Sequence, residues 1–506
     1  MVLDRRICSL VFFCLALTQC SPVQDASPYE TRLDIPALKS FTQSVVQTYP
    51  LPGMAVVVVT RDTAYYLTTG YSDLVRKIPF TDSTVFFAGG FSELLVASTA
   101  LRLQQAGKLN LQDPVVRELP YFQMQGDYQR ISAHHLLTHT SGIPHFNPAW
   151  DMPAYEEDAL EATTRSIIFQ DVMFAPGTQC KRSPYNYDIL ADLMAKSEQK
   201  SFEEVVHAET LAPLGMRHSS FFPDTSSAEL ARPHEILNWI SYDLRESEIY
   251  PYTRENAGSF GLHTTVGDMA KWIQMVLRTD TVQEGLSSAS IDQLMTAHYK
   301  TGENTYKGYG WEIRDSEGVR VFHNSWNAGG FSGDLSVIPA QEMAVMVLSN
   351  TSDDFNPSVI SEHILDHLHG ASLSTVKYPI HIAMSRKLNE GRCLEEVLAW
   401  HDSLMMAGGG DYLMGPALLG QLGVNLLHRL SRMEDATEVF LHAVQLYPES
   451  PEAHLNLAEA LLTSGLLAEA KTHFEEAMKL RPSMNSPYVS FLREQLAVAQ
   501  ENQASS

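Results

Sequence analysis

Residues 85–114 read VFFAGGFSELLVASTALRLQQAGKLNLQDP, and the parsing of this stretch decides the fold. Val85, Phe86, Phe87 and Ala88 form a short apolar run, the end of a strand. Gly89 and Gly90 free the backbone for a tight turn. From Phe91 onward, Leu94, Leu95, Ala97, Leu101 and Leu103 recur at roughly helical spacing, and Gly107 closes the helix. A strand that enters a helix through glycines aims backbone N–H groups at whatever lies above the helix N-terminus, a place suited to anions.

The ending Leu103 to Pro114 resembles the Leu-x-x-x-Gly-Lys-Leu-x-Leu-x-Asp-Pro ending found in β-lactamase-related serine hydrolases: class C β-lactamases, penicillin-binding proteins, D-aminopeptidases and related esterases. In that family the turn carries Ser-x-x-Lys, with a nucleophilic serine and an activating lysine. The resemblance, counted back from Gly107, puts the nucleophile position on Gly90 and the lysine position on Glu93. Glycine carries no nucleophile and glutamate has the opposite charge. The family fold is signalled while the family reaction is not. Ser92 is the one hydroxyl close by, and it lies about 200° around the helix from Gly90.

Other stretches fit the same family. Pro52 to Val59 reads as a turn into a buried strand, with Tyr65 to Gly70 as its hairpin partner. Ile131 to Pro144, ISAHHLLTHTSGIP, resembles the family segment that shapes one wall of the site. Pro176-Gly177-Thr178 resembles the Pro-Gly-Thr that precedes Tyr-x-Asn, but that gap lands on Arg182-Ser183-Pro184. Tyr187 and Leu190 confirm the register, so Arg182 replaces the tyrosine and Pro184 the asparagine. Ala212 to Met216, Ala257 to Gly261 and Thr264 to Ala270 match further scaffold segments. The third family motif, Lys-Thr-Gly or His-x-Gly, is expected on the strand Val319 to His323. That reading makes His323 the histidine and puts Ser325 at the glycine, with Trp326 crowding the approach. Lys300-Thr301-Gly302, Ser374 to Lys377 and Ser197 to Lys200 spell family motifs in the wrong places and are read as chance matches.

The formal charge of −24 over 506 residues argues against nucleic acid and against charge-driven adhesion to anionic lipid. Residues 1–20 read as an export leader: Arg5 and Arg6, then an apolar run from Ile7 to Leu17. Leu17-Thr18-Gln19-Cys20 resembles a bacterial lipoprotein box, which would make Cys20 a lipid site and the sole membrane attachment. Plain secretion and a retained anchor are the alternatives. Either way the location is extracytoplasmic, periplasmic or secreted. Only Cys180 and Cys393 lie in the body, too few for a disulfide framework. His134, His135 and His139 lack the glutamate of the zinc-protease motif and are read as structural. Neither a metal nor a cofactor is expected.

Beyond the body, Ala436, Phe440, Ala443, Leu446 and Pro448 recur as Ala470, Phe474, Ala477, Leu480 and Pro482. This is the ~34-residue period of the tetratricopeptide repeat. Fewer than three units are marginal alone, so the tail is expected to pack on the body.

The expected architecture is α+β: a β-lactamase/transpeptidase-like antiparallel sheet flanked by helices with an all-helical subdomain over 31–370, a linker over 371–395, and helical repeats over 396–492. Three functions compete. The first is a non-catalytic member that binds a small-molecule or peptide ligand in the former cleft, with Glu93, Arg182, His323 and Trp326 as the lining candidates. The second is a hydrolase with Ser92 as a relocated nucleophile and Glu93 as its base. The third is an adaptor whose repeats hold a protein partner. Glu93 and Arg182 stand at facing family positions and are expected to form an ion pair across the site.

Overall fold

A computed structural model describes residues 33–146, 152–227, 229–278, 285–316, 318–373, 376–482, 484 and 486–505. The leader and Cys20 lie outside these residues, as does the Ser374-Thr375 part of one chance match.

Among the described residues, nine strands form one sheet. Their spatial order is Ile78–Pro79, Ala64–Asp73, Gly53–Thr60, Met343–Ser349, Phe331–Ile338, Val319–Ala328, Glu312–Ser316, Thr305–Lys307 and Tyr299–Lys300. Every neighbouring pair is antiparallel. The first long strand pairs with the last, Val57 opposite Met346, so the two ends of the body close on one another.

Met54 to Val59 is apolar throughout because the sheet is covered on both faces. Met54, Val56 and Val58 pack with Leu38, Phe41 and Val45 of helix Ile35–Thr48 and with Ile360, Ile364 and Leu368 of helix Pro357–Leu368. Ala55, Val57 and Val59 point the other way, into the larger core built around helix Ser92–Gln105. Strand alternation alone makes this division.

Helix Ser92–Gln105 is the axis of that larger core. Its residues from Ser92 to Leu101 are all buried. The preceding Phe86–Phe87 pairs with His263–Thr264, and Gly89–Phe91 forms a single 3-10 turn into the helix. Phe86, Phe87 and Phe91 are fully buried, each contributing about 1.5–3 kcal/mol of transfer free energy. Gly89 has φ +46°, the left-handed conformation expected of it.

The tail is helical, with the 34-residue repeat carried by helices Met433–Leu446 and Leu467–Leu480. Ala436, Phe440 and Ala443 are buried, as are their counterparts Ala470, Phe474 and Ala477. The expected linker needs correction. Ile380–Asn389, inside 371–395, is a helix whose Ile380, Met384 and Leu388 enter the tail core at i, i+4 and i+8.

A hairpin of the body, His234–Asn238 with Asp243–Glu246, docks the tail. Its Ile236 and Tyr242 cluster with Ile382. Asn425 Nδ2 donates to the Tyr242 hydroxyl at 3.2 Å, and that hydroxyl donates to Asp354 at 2.8 Å. Arg429 lies 5.1 Å over the Trp239 ring. Among the described residues, no helix is long and apolar enough to cross a membrane.

Candidate functional site

Glu93 occupies the first turn of the central helix, facing the segment before helix Tyr185–Glu198. Its side chain is 3 % exposed. Arg182 Nη2 donates to Glu93 Oε1 at 2.8 Å, so the expected ion pair is present. Pro184 is the residue that leads into helix Tyr185–Glu198, with φ −56°. Its missing N–H is no loss at a helix start, but it offers no side-chain amide to a substrate.

The second carboxylate oxygen of Glu93 is taken by His139 Nε2 at 3.3 Å. The other ring nitrogen, Nδ1, accepts from Asn186 Nδ2 at 2.9 Å and from the Ser183 backbone N–H at 3.4 Å. Asn186 Oδ1 in turn accepts from Ser141 Oγ at 2.6 Å. Two donors on Nδ1 leave the ring proton on Nε2, aimed at Glu93.

The electrostatics follow. Burial alone would raise the Glu93 pKa, but the charges of Arg182, His139 and Lys307 outweigh it and hold the carboxyl at about 2. Burial pushes His139 down to about 4 against the pull of Glu93. At neutral pH the carboxylate is therefore charged and the imidazole is not. Glu93 has one charged partner, Arg182, and one neutral donor, His139.

Trp326 fills the space above the turn. A Cβ at Gly90 would lie 2.9 Å from the Trp326 Cβ, closer than side chains approach, and one at Gly89 would run into the indole six-membered ring. Gly333, on the next strand, is open for the same reason: a Cβ there would lie 2.6 Å from Trp326 Nε1. Phe87 and Phe91 meet the indole edge to face, at 5.7 and 5.8 Å between centroids. Gly89, Gly90 and Gly333 together form a slot for one tryptophan.

The strand reading of the third motif is off by one residue. Phe322 and Trp326 join the larger core, while Val319 and Val321 pack on the opposite one. Residues 322, 324 and 326 thus face the site. His323 and Ser325 belong to the other face, and His323 shares a cavity there with Val321, Ile338, Leu365 and His369. His323 Nε2 binds Asp334 at 2.6 Å. His323 therefore does not line the cleft, and Ser325 does not hold the glycine position. Asn324 and Trp326 hold those places instead. Asn324 Nδ2 donates to the Gly310 carbonyl at 2.8 Å.

Ser92, the alternative nucleophile, is bonded to backbone on both sides. Its hydroxyl donates to Gly89 O at 2.7 Å and accepts from Leu262 N–H at 2.9 Å, with the side chain fully buried. It ties the turn to the neighbouring segment.

Comparison with known proteins agrees with this frame. The sequence profile of the beta-lactamase family matches residues 38–368. The chain belongs to the beta-lactamase family. A tetratricopeptide-repeat profile matches residues 427–496. The beta-lactamase domain is similar to Protein flp of Staphylococcus aureus (strain MRSA252), 26 % identical over 322 residues, covering 62 % of this chain and 62 % of that protein. It is similar to a beta-lactamase of Escherichia coli (strain K12), 24 % identical over 340 residues, covering 60 % of this chain and 86 % of that one. The chain thus spans under two thirds of the length of its flp relatives. The octameric penicillin-binding protein homologue from Pyrococcus abyssi shares the fold, with a TM-score of 0.61 at 24 % identity over 70 % of this chain and 81 % of that one.

Sequence reasoning missed His139, Asn186 and Asn324 as parts of the beta-lactamase site. His139 was read as part of a wall. Its φ of +55°, unusual for a side-chain-bearing residue, aims it inward and is invisible in the sequence. Asn324 was recoverable: apolar Phe322 and Trp326 alternating with polar His323, Ser325 and Asn327 assign the even positions to the core.

Proposed function

We propose that the beta-lactamase domain is a non-catalytic member of its family, a binding scaffold whose nucleophile site is sealed by Trp326. The observation that carries this reading is the slot of Gly89, Gly90 and Gly333 around the indole. Acyl transfer needs a nucleophile, a neighbouring base and room for the tetrahedral carbon. Here the nucleophile position is glycine, the base position is an ion-paired carboxylate, and the room is filled.

A ligand would enter beside the seal. A cavity of about 340 Å³ is bordered by Arg182, Lys307, Arg314, Glu312 and Cys180. Arg182 gives one arm to Glu93 and keeps its side chain 39 % exposed. Three cations to one carboxylate at this rim suit a small molecule or peptide carrying a carboxylate. The tetratricopeptide repeats, a class that generally mediates protein–protein contact, supply the surface for a protein partner. Residues 1–20 are proposed to export the chain, with Cys20 as its lipid site. Loss of a labelled acyl chain in Cys20→Ala tests that part.

The experiment for the scaffold is direct. The purified protein is incubated with a fluorophosphonate or a labelled penicillin beside Ser92→Ala. The expected result is no covalent label on either. Labelling that disappears in Ser92→Ala would restore the hydrolase reading, which the backbone-tied Ser92 hydroxyl does not favour.

A further inference from the structure

Two helices of the tail hold an arrangement that neither the fold nor the repeats require. His401 and Asp402 lie on helix Leu394–Met406, and His442 lies on helix Met433–Leu446. Among the described residues, these three form a group whose potential ligand atoms all lie within 4.8 Å of one another. His442 Nε2 is 2.9 Å from Asp402 Oδ1, and His401 Nδ1 is 3.4 Å from the same oxygen. The two imidazole rings stand 5.7 Å apart at 76° to each other.

As a purely structural cluster this is poorly satisfied. The His401 ring is fully buried, and its Nδ1 reaches Asp402 Oδ1 only at 3.4 Å. His442 Nε2 approaches Asp402 without hydrogen-bond geometry. Burying two polar rings around one carboxylate costs free energy unless a further group completes them. A cation between the three atoms would do so.

We propose that His401, Asp402 and His442 bind one divalent zinc ion that pins helix Leu394–Met406 to helix Met433–Leu446. Two imidazoles and one carboxylate form a donor set suited to zinc. At metal–ligand lengths of about 2.0–2.2 Å, the edge of a coordination tetrahedron is about 3.3 Å. The observed 2.9 and 3.4 Å separations bracket it. Asp402 is 41 % exposed at the side chain, so an ion reaches the site from solvent and a water takes the fourth position. A short repeat array gains from such a staple, because each unit covers only its neighbours.

The test uses the full chain, stripped with a chelator and titrated with Zn²⁺ in competition with a chromophoric chelator. The expected result is one zinc per chain and a melting temperature that rises on zinc addition. His442→Gln and Asp402→Asn, both at solvent-reachable positions, weaken binding at least tenfold while the chelated proteins keep the wild-type melting temperature. His473→Gln serves as a control, because His454 and His473 face one another elsewhere in the tail with Nδ1 atoms 3.0 Å apart. Absence of stoichiometric zinc overturns the proposal. So does unchanged affinity in His442→Gln or Asp402→Asn, or a loss confined to His473→Gln.

Discussion

Trp326 and Gly90 are fitted to one another: the tryptophan Cβ stands 2.9 Å from where a side chain on residue 90 would begin. Restoring a serine there is therefore a packing problem before it is a chemical one. Gly90→Ser alone should cost about 1–3 kcal/mol through overpacking. Trp326→Gly, which also removes the Cβ that the new side chain would meet, should cost at least about 3–5 kcal/mol through a cavity. The double variant should be more stable than the sum of the two, because each relieves the strain or void left by the other. Urea unfolding of all four proteins measures this coupling, and strict additivity would show that the two residues are not in contact.

Glu93 and Arg182 should respond unequally to removal. Arg182→Met leaves a carboxylate that is 3 % exposed with only a neutral histidine beside it, and a loss on the order of 2–3 kcal/mol is expected. Glu93→Gln leaves a guanidinium that already reaches water, and about 1 kcal/mol is expected. Denaturant midpoints of the two variants decide the order.

The same network makes the domain sensitive to acid. His139 has a folded pKa of about 4, below its ordinary value, so its contribution is present above pH ~6.5 and is lost as pH falls toward 4. Glu93, held at about 2, adds a second loss as pH falls from ~4.5 toward 2. Both signs agree: stability falls on acidification. Glu93→Gln should flatten the lower limb, as read from melting temperature against pH.

His323 has the opposite sign. Burial pulls its pKa down, but the hydrogen bond and charge of Asp334 outweigh that and leave it raised. This pair contributes below the ordinary histidine pKa and weakens as pH rises through the raised folded value. Asp334→Asn should remove that alkaline limb, and NMR titration of the His323 ring should show the pKa fall.

The tail and body should unfold together. Ending the chain after residue 370 would expose Ile236, Trp239 and Tyr242 of the docking hairpin, which now lie against Ile382, Arg429 and Asn425. The shortened body is expected to melt lower and bind a hydrophobic dye. Calorimetry of the full chain should give one transition, and two well-separated ones would show the docking contact to be weak.

Much of this was legible in the chain. The helix after Gly89-Gly90, the buried strand Gly53–Thr60 and the Ala436/Ala470 repeat are local patterns, and local patterns survive reading without a structure. The Glu93–Arg182 pair was legible because two opposite charges replaced two facing residues. The face of His323 was misread because a strand has period two, and one residue of slip exchanges its faces. The helix Ile380–Asn389 was missed because ten residues between turns give a weak periodic signal.

The sequence alone determined that residue 90 offers no hydroxyl and residue 93 no amine, wherever the backbone goes. Only the tertiary structure decided what took its place. Trp326 is 236 residues from Gly90, and His401 is 41 from His442; such pairs meet through sheet pairing and helix packing, which depend on the whole core and leave no trace in local spacing.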